Sequence, residues 1–184
     1  MTERDTSGKM DSMRELNVVD KYKTWSIDLI KEDVESKALP YAVCMVNIEY
    51  DFNFGTLVRN SNAFGAREVF YLQDRKRWDR RSAVGTNHYT KTHHLKTIDD
   101  LKSLKDRYEN FVGIEQVAGA ISMSDFTWKR NSLVIFGSEN MGLSEEILDL
   151  CDSHVYIPML GSVRSLNVGT CSGIVLQDCA SQFG

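Results

Sequence analysis

Short apolar runs alternate with stretches of helical hydrophobic periodicity along most of this chain. The apolar runs predict buried strands at residues 41–48, 68–72, 111–114, 132–136 and 154–157. Helical periodicity predicts helices at residues 55–64, 99–108, 144–150 and 167–182. This alternation is typical of an α/β domain with a mainly parallel sheet and helices on both faces.

The first 40 residues differ from this pattern. Residues 1–17 are polar and of mixed charge, which predicts a disordered leader that is not a secretory signal. Apolar side chains then recur at near-helical intervals, which predicts an amphipathic helix over residues 18–38 that ends before Pro40. Residues 39–184 are expected to form a single α/β domain.

Composition narrows the class of protein. The chain has 184 residues, of which 42% are hydrophobic and 26% charged, as in an ordinary soluble globular protein. No run approaches the roughly 20 apolar residues that a membrane span needs, so no membrane association is expected. The cysteines lie in or beside apolar runs without metal-ligand spacing, which favours reduced thiols, a cytoplasmic location and no metal site.

The net charge of −4 argues mildly against a general polyanion binder, but basic side chains are concentrated in one segment. They surround Trp78 and are Arg75, Lys76, Arg77, Arg80 and Arg81. An isolated cluster of this kind is more often a solvated loop. Basic groups around an aromatic ring also suit phosphate contacts and base stacking. Together with the glycine-containing motifs elsewhere in the chain, the cluster and His88 are expected to contact RNA.

Three glycine-containing motifs each follow directly on an apolar run. They read NFGTLVRNSNAFG (residues 53–65), VIFGSENMGLS (134–144) and IPMLGSVRSLNV (157–168). Together and in this order they resemble the signature motifs of the SpoU (TrmH-type) branch of the SPOUT RNA methyltransferases. The resemblance covers roughly residues 41 to 181.

The resemblance implies a SPOUT fold whose C-terminal segment passes through a preceding loop to form a deep trefoil knot. It implies S-adenosylmethionine as cofactor, a ribose 2′-hydroxyl of tRNA or rRNA as methyl acceptor, and a homodimer formed through the knot region. The active site is then expected to draw on both chains.

The resemblance also implies roles for individual residues. Those implied on the catalytic side are Asn53, Arg59, Glu139, Ser165 and Asn167. Those implied to hold S-adenosylmethionine, largely through main-chain groups, are Gly137, Ile157, Met159, Gly161 and Leu166.

Local pattern suggests where some of these residues lie. Asn53 and Gly55 are expected just past the end of a strand, Arg59 on the opening turn of the next helix, and Ser144 at the N-cap of a later one. In the family, this arginine is assigned to activate the ribose hydroxyl. Because a guanidinium stays protonated, it either orients a phosphate and lowers the pKa of the hydroxyl or acts as a base when strongly perturbed. Glu139 is a general base, the partner of a cation, or a group that bonds backbone amides and holds its loop.

Two other functions stay open at this point. A non-catalytic RNA-binding protein could keep the fold, although the retained polar residues of all three motifs speak against it. A SPOUT methyltransferase that modifies a base would rely on different side chains.

Overall fold

The computed structural model describes residues 17–48, 50–74 and 78–184. These residues are built around a sheet of parallel strands. The strands are β1 (Tyr41–Val46), β2 (Val69–Leu72), β3 (Thr92–Leu95), β4 (Asn110–Ile114), β5 (Ile121–Ser122), β6 (Ser132–Phe136) and β7 (Ser153–Tyr156). They form one sheet in the order β3-β2-β1-β6-β4-β7-β5, and every neighbouring pair is parallel.

Helices cover both faces of this sheet. They are α1 (Ile27–Ser36), α2 (Asp51–Ala63), α3 (Ile98–Ser103), α4 (Glu145–Leu148) and α5 (Val168–Phe183), with short 3-10 turns between them. The predicted α/β class with a mainly parallel sheet is therefore confirmed. The knot stays a prediction.

The sheet separates two hydrophobic cores because side chains along a strand alternate between its faces. β1 is buried along its whole length, as expected of a central parallel strand. Its residues Tyr41, Val43 and Met45 face the core formed with α2 and α5. Ala42, Cys44 and Val46 face the other core, formed with α3 and α4. The first core lies beneath α2 and α5. The first motif is on α2, and the third motif is the segment that leads into α5.

The predicted N-terminal helix over residues 18–38 is wrong in extent. The structure has a 3-10 turn at Asp20–Tyr22, followed by the separate helix α1. Ser26 starts α1 as an N-cap, its hydroxyl accepting the N–H of Leu29 at 3.3 Å. Asp33 of α1 then accepts hydrogen bonds from Lys21 at 2.9 Å and Tyr22 at 2.5 Å. These bonds hold the 3-10 turn against α1. The helical periodicity of the hydrophobic residues at 18–38 therefore comes from two separate segments.

The helix predicted at residues 55–64 begins earlier, at Asp51. Asn53 and Gly55 are therefore helical, and neither lies in a loop past the strand. Gly55 serves packing, because a Cβ at this position would overlap the Ser82 hydroxyl in the 3-10 turn Arg80–Ala83.

Other differences concern short or polar elements. β3 and β5 were not predicted, since β3 carries two histidines and β5 has only two residues. The helix predicted over residues 99–108 ends at Ser103 and continues as a 3-10 turn. Ser144 occupies the N-cap position of α4, but its side chain makes no capping hydrogen bond within the described residues.

Candidate active site

A cavity of about 480 Å³ opens where β6, β4 and β7 end. This is the carboxyl edge of the sheet, where open α/β sheets bind their ligands. The wall comes from the segments after these three strands and from the start of α5. Its apolar members include Ile114, Val117, Leu143, Leu148 and Val168.

Most residues predicted to hold a cofactor line this cavity. Gly137, Ile157, Met159 and Leu166 are in its wall. Gly161 is not. It lies exposed in the loop between β7 and α5, and a Cβ added to it would meet no atom within 4 Å. The structure therefore does not place Gly161 beside the cavity, where the cofactor is expected.

The second motif forms a tight turn in the cavity wall. The backbones of Ser138 and Gly142 exchange hydrogen bonds of 3.0 and 3.3 Å, and the Ser138 hydroxyl accepts the N–H of Met141 at 3.2 Å. Gly142 has a φ of 62°, in the left-handed region that favours glycine. A Cβ at Gly137 would overlap the Gly142 backbone. The two glycines thus allow the turn to fold against the end of β6.

A chain of side-chain hydrogen bonds joins the three motifs. The Asn53 amide nitrogen, on α2, donates to Glu139 Oε1. The Asn53 amide oxygen accepts a hydrogen bond of 3.0 Å from Asn167, which also caps α5 by accepting the N–H of Thr170 at 3.2 Å. Glu139 therefore bonds a side chain of the first motif and, within the part of the chain that the structure describes, no backbone amide. Its other oxygen, Oε2, is buried and has no hydrogen-bond partner among the described residues.

Ser165 and Glu139 also line the cavity, so these two catalytic candidates are adjacent to the predicted cofactor residues. Asn53 and Asn167 lie behind them, in a groove between α2 and α5. Apart from Phe52, the groove is lined by glycine, threonine and asparagine residues, among them Gly169 and Gly173. At its edge Phe52 is 71% exposed.

Arg59 is in neither the cavity nor the groove. It lies in the second half of α2, not on the opening turn, about 9 Å along the axis from Asn53 and about 120° around the helix. Asn53 and Asn60 share the face that contacts α5, where Asn60 donates to the Gly169 carbonyl at 2.9 Å. Arg59 is exposed, and no hydrogen bond or ion pair joins it to another described residue. Within one chain, the structure does not bring Arg59 to the cavity.

The predicted RNA-binding residues are only partly within the described residues. Arg75, Lys76 and Arg77 lie outside them. Arg80 and His88 are exposed in two 3-10 turns. Arg81 is also exposed but forms an ion pair with Asp79, which lowers the pKa of that carboxyl through the Arg81 hydrogen bonds.

Trp78 is not available for base stacking. It is 9% exposed and packs edge-on against Phe54 of α2, with ring centroids 4.8 Å apart. The aromatic ring at the centre of the basic segment is therefore part of the core. It holds this segment against the start of α2.

Glu115 and Cys171 are among the cavity-lining residues to which no role was assigned from the sequence. Burial raises the pKa of the Cys171 thiol to about 12, so it is neutral at physiological pH. Glu115 follows β4 directly, and its position after a strand was the available signal. Among the described residues no three His, Cys, Asp or Glu side chains cluster as metal ligands, and no helix is long and apolar enough to cross a membrane.

Comparison with known proteins decides the family. Residues 40–177 match the sequence profile of the SpoU rRNA Methylase family. This chain belongs to that family. The resemblance drawn from the three motifs is thereby confirmed.

Named SpoU relatives agree in sequence and fold. The tRNA (guanosine(18)-2′-O)-methyltransferase of Escherichia coli is 28% identical over 143 residues, which are 76% of this chain and 62% of that enzyme. The crystal structure of the A. aeolicus TrmH/SpoU tRNA modifying enzyme aligns with a TM-score of 0.75 at 22% identity, covering 85% of this chain and 81% of that one. The SpoU methyltransferase AviRb from Streptomyces viridochromogenes, solved with AdoMet, aligns with a TM-score of 0.71 at 23% identity, covering 79% and 58%. The chain spans about three fifths of the length of the E. coli enzyme.

Proposed function

We propose that this SpoU chain is an S-adenosylmethionine-dependent methyltransferase that modifies a ribose 2′-hydroxyl of tRNA or rRNA. The observation that carries the proposal is the hydrogen-bonded chain Glu139–Asn53–Asn167, which ties all three motifs together beside a cavity. The relatives support the choice of reaction, since the E. coli enzyme is named for 2′-O-methylation of a tRNA guanosine.

The cavity suits a nucleoside cofactor. Its volume of about 480 Å³ falls in the range of small-molecule sites, roughly 300–1,000 Å³. Apolar side chains offer a slot for the adenine, and the main chain at Gly137, Ile157 and Leu166 offers donors and acceptors. When bound, S-adenosylmethionine supplies the methyl group as a reactive sulfonium. The protein then has to align the acceptor oxygen and handle the hydroxyl proton.

Arg59 acts on the acceptor side in this proposal, as a fixed cation that orients an RNA phosphate and favours loss of the hydroxyl proton. Because Arg59 is exposed and outside the cavity of its own chain, a second copy has to present it. The α2–α5 groove supports such a dimer, since its two glycines leave room for close approach and Phe52 beside them is exposed. Glu139 Oε2, which is buried and has no hydrogen-bond partner among the described residues, belongs to the hydrogen-bonded chain that reaches this groove.

The direct test is methyl transfer to total tRNA and to ribosomal RNA, with mass spectrometry of the product nucleosides. The proposal expects a 2′-O-methylated nucleoside, loss of transfer in Arg59→Ala, and normal transfer in Arg67→Ala, a matched exposed arginine outside the cavity and groove. RNA binding without any transfer would support the non-catalytic alternative. A methyl group on the base would indicate a base methyltransferase.

Mixing two inactive variants tests whether the site is shared. Arg59→Ala removes the guanidinium, and Gly137→Ala weakens the cavity by overlap with Gly142, so the assay uses a cofactor concentration too low to load that weakened cavity. If Arg59 serves the partner's cavity, mixed dimers regain one complete site, and the mixture recovers about one quarter of the wild-type activity. If Arg59 serves its own chain, the mixture stays inactive.

A further inference from the structure

Glu115 brings a carboxylate to the middle of the cavity wall. It follows the last residue of β4, which lies between β6 and β7 in the sheet. Its backbone N–H continues the pairing by donating to the Val155 carbonyl at 3.1 Å. Gly137 lies at the end of one neighbouring strand and Ile157 beyond the end of the other, so Glu115 is flanked by the segments proposed to hold the cofactor.

The carboxylate of Glu115 is held in one orientation. Oε1 accepts the N–H of Gln116 and Oε2 accepts the N–H of Leu143, both at 3.1 Å. A Cβ at Gly142 would overlap Oε2, so the turn of the second motif packs directly on this group. Each oxygen accepts one of these bonds, and a carboxylate oxygen has capacity for about two. Acceptor capacity is therefore left in a cavity-lining group whose position is fixed before a ligand binds.

A carboxylate that only accepts hydrogen bonds recognises ligand groups that donate them. In α/β nucleotide-binding domains, an acidic side chain in this kind of place binds the hydroxyl groups of a ribose. The other carboxylate in the wall, Glu139, is joined through Asn53 to the first and third motifs and so belongs to the acceptor side of the proposed site. We infer that Glu115 accepts hydrogen bonds from the ribose hydroxyls of the nucleoside cofactor. This inference rests on the proposed use of S-adenosylmethionine.

The test compares two unreactive ligands by calorimetry, S-adenosylhomocysteine and its 2′,3′-dideoxy analogue. We expect the wild-type protein to bind the hydroxylated ligand about 10- to 100-fold more tightly, the range for hydrogen bonds to a charged acceptor. In Glu115→Ala this ratio should fall to near one. In Glu32→Gln, an exposed carboxylate on α1 away from the cavity, it should not change.

The ratio of the two ligand affinities distinguishes a Glu115 that contacts the ligand from one that only supports the turn of the second motif. If Glu115 only supports the turn, Glu115→Ala weakens both ligands equally and leaves the ratio unchanged, which overturns the inference. Should Glu115→Ala fail to fold, Glu115→Gln decides, because it keeps one acceptor oxygen and should still lower the ratio.

A third ligand, 5′-methylthioadenosine, distinguishes the ribose from the amino acid. If Glu115→Ala instead abolishes the preference for S-adenosylhomocysteine over this ligand, the carboxylate binds the ammonium group and the inference is wrong. If the wild-type protein binds none of the three, the proposed cofactor itself fails. If the ligands bind but their affinity ratio is the same in the wild type and in Glu115→Ala, the proposed function stands and only this inference is wrong.

Discussion

Gly137→Ala adds one methyl group at a backbone position that has no room for it. The added Cβ would overlap the carbonyl carbon and oxygen of Gly142, which are backbone atoms and cannot rotate away as a side chain would. The turn of the second motif must therefore shift. Because this turn lines the cavity, we expect the substitution to affect both stability and ligand binding.

The size of the effect follows from overpacking. Forcing a backbone shift in a packed region costs about 1–3 kcal/mol in free energy of unfolding. For a chain of this length that corresponds to a fall in melting temperature of roughly 2–12 °C. Displacement of the turn should also weaken S-adenosylhomocysteine at least about tenfold, since about 1.4 kcal/mol is one factor of ten in affinity.

The matched control is Gly161→Ala, in the loop of the third motif. Its added Cβ meets no atom within 4 Å, and its φ lies outside the left-handed region. We expect its melting temperature and ligand affinity to be unchanged or slightly raised. Urea unfolding and calorimetry on both variants form the assay. Equal midpoints and equal affinities for the two variants would refute the packing argument.

Three further outcomes are expected elsewhere in the chain. Burial alone would raise the pKa of Glu68, but the close contact with His93, the hydrogen bond from Tyr108 and the charge of Arg107 lower it to about 2. This carboxylate therefore stabilises the fold above pH 4.5 by up to about 3 kcal/mol, and the contribution is lost as the pH falls from 4.5 to 2. Urea unfolding of Glu68→Gln should match the wild type only near pH 2; parallel curves would contradict this. Trp78→Ala should lower the free energy of unfolding by about 3–5 kcal/mol, measured by urea unfolding, because the ring is in the core. Asn167→Ala should lower the free energy of unfolding by about 1 kcal/mol, because the α5 cap is lost, and should also reduce methyl transfer. Full methyl transfer by this variant would argue against a role for the Asn53 contact.

Element type could be predicted well from the sequence where the pattern was long and apolar. β1 and β6 appear close to the predicted bounds because nearly every residue in them is buried and apolar. The start of α2 could not be predicted, since Tyr50 makes no capping side-chain bond that would mark it. β3 was missed for another reason: a half-buried edge strand carries polar residues such as His93 and His94.

The candidate site was predicted in part for similar reasons. Cavity residues such as Gly137 and Leu166 were found because each belongs to a motif that follows a strand. Trp78 was misjudged because its basic neighbours in sequence suggested an exposed ring, while its neighbour in space is Phe54. Glu115 was missed because it stands outside the three motifs.

The sequence by itself determined the class of the fold, the family and the segments that carry chemistry, because periodicity and motifs are properties of neighbouring residues. The tertiary structure decided which of those segments meet. Asn53 bonds Glu139 across 86 positions and Asn167 across 114, since the strand order sets β1 beside β6 and brings α5 against α2. It also decided that Arg59 faces away from the cavity of its own chain, because packing of the opposite side of α2 fixes the rotation of that helix.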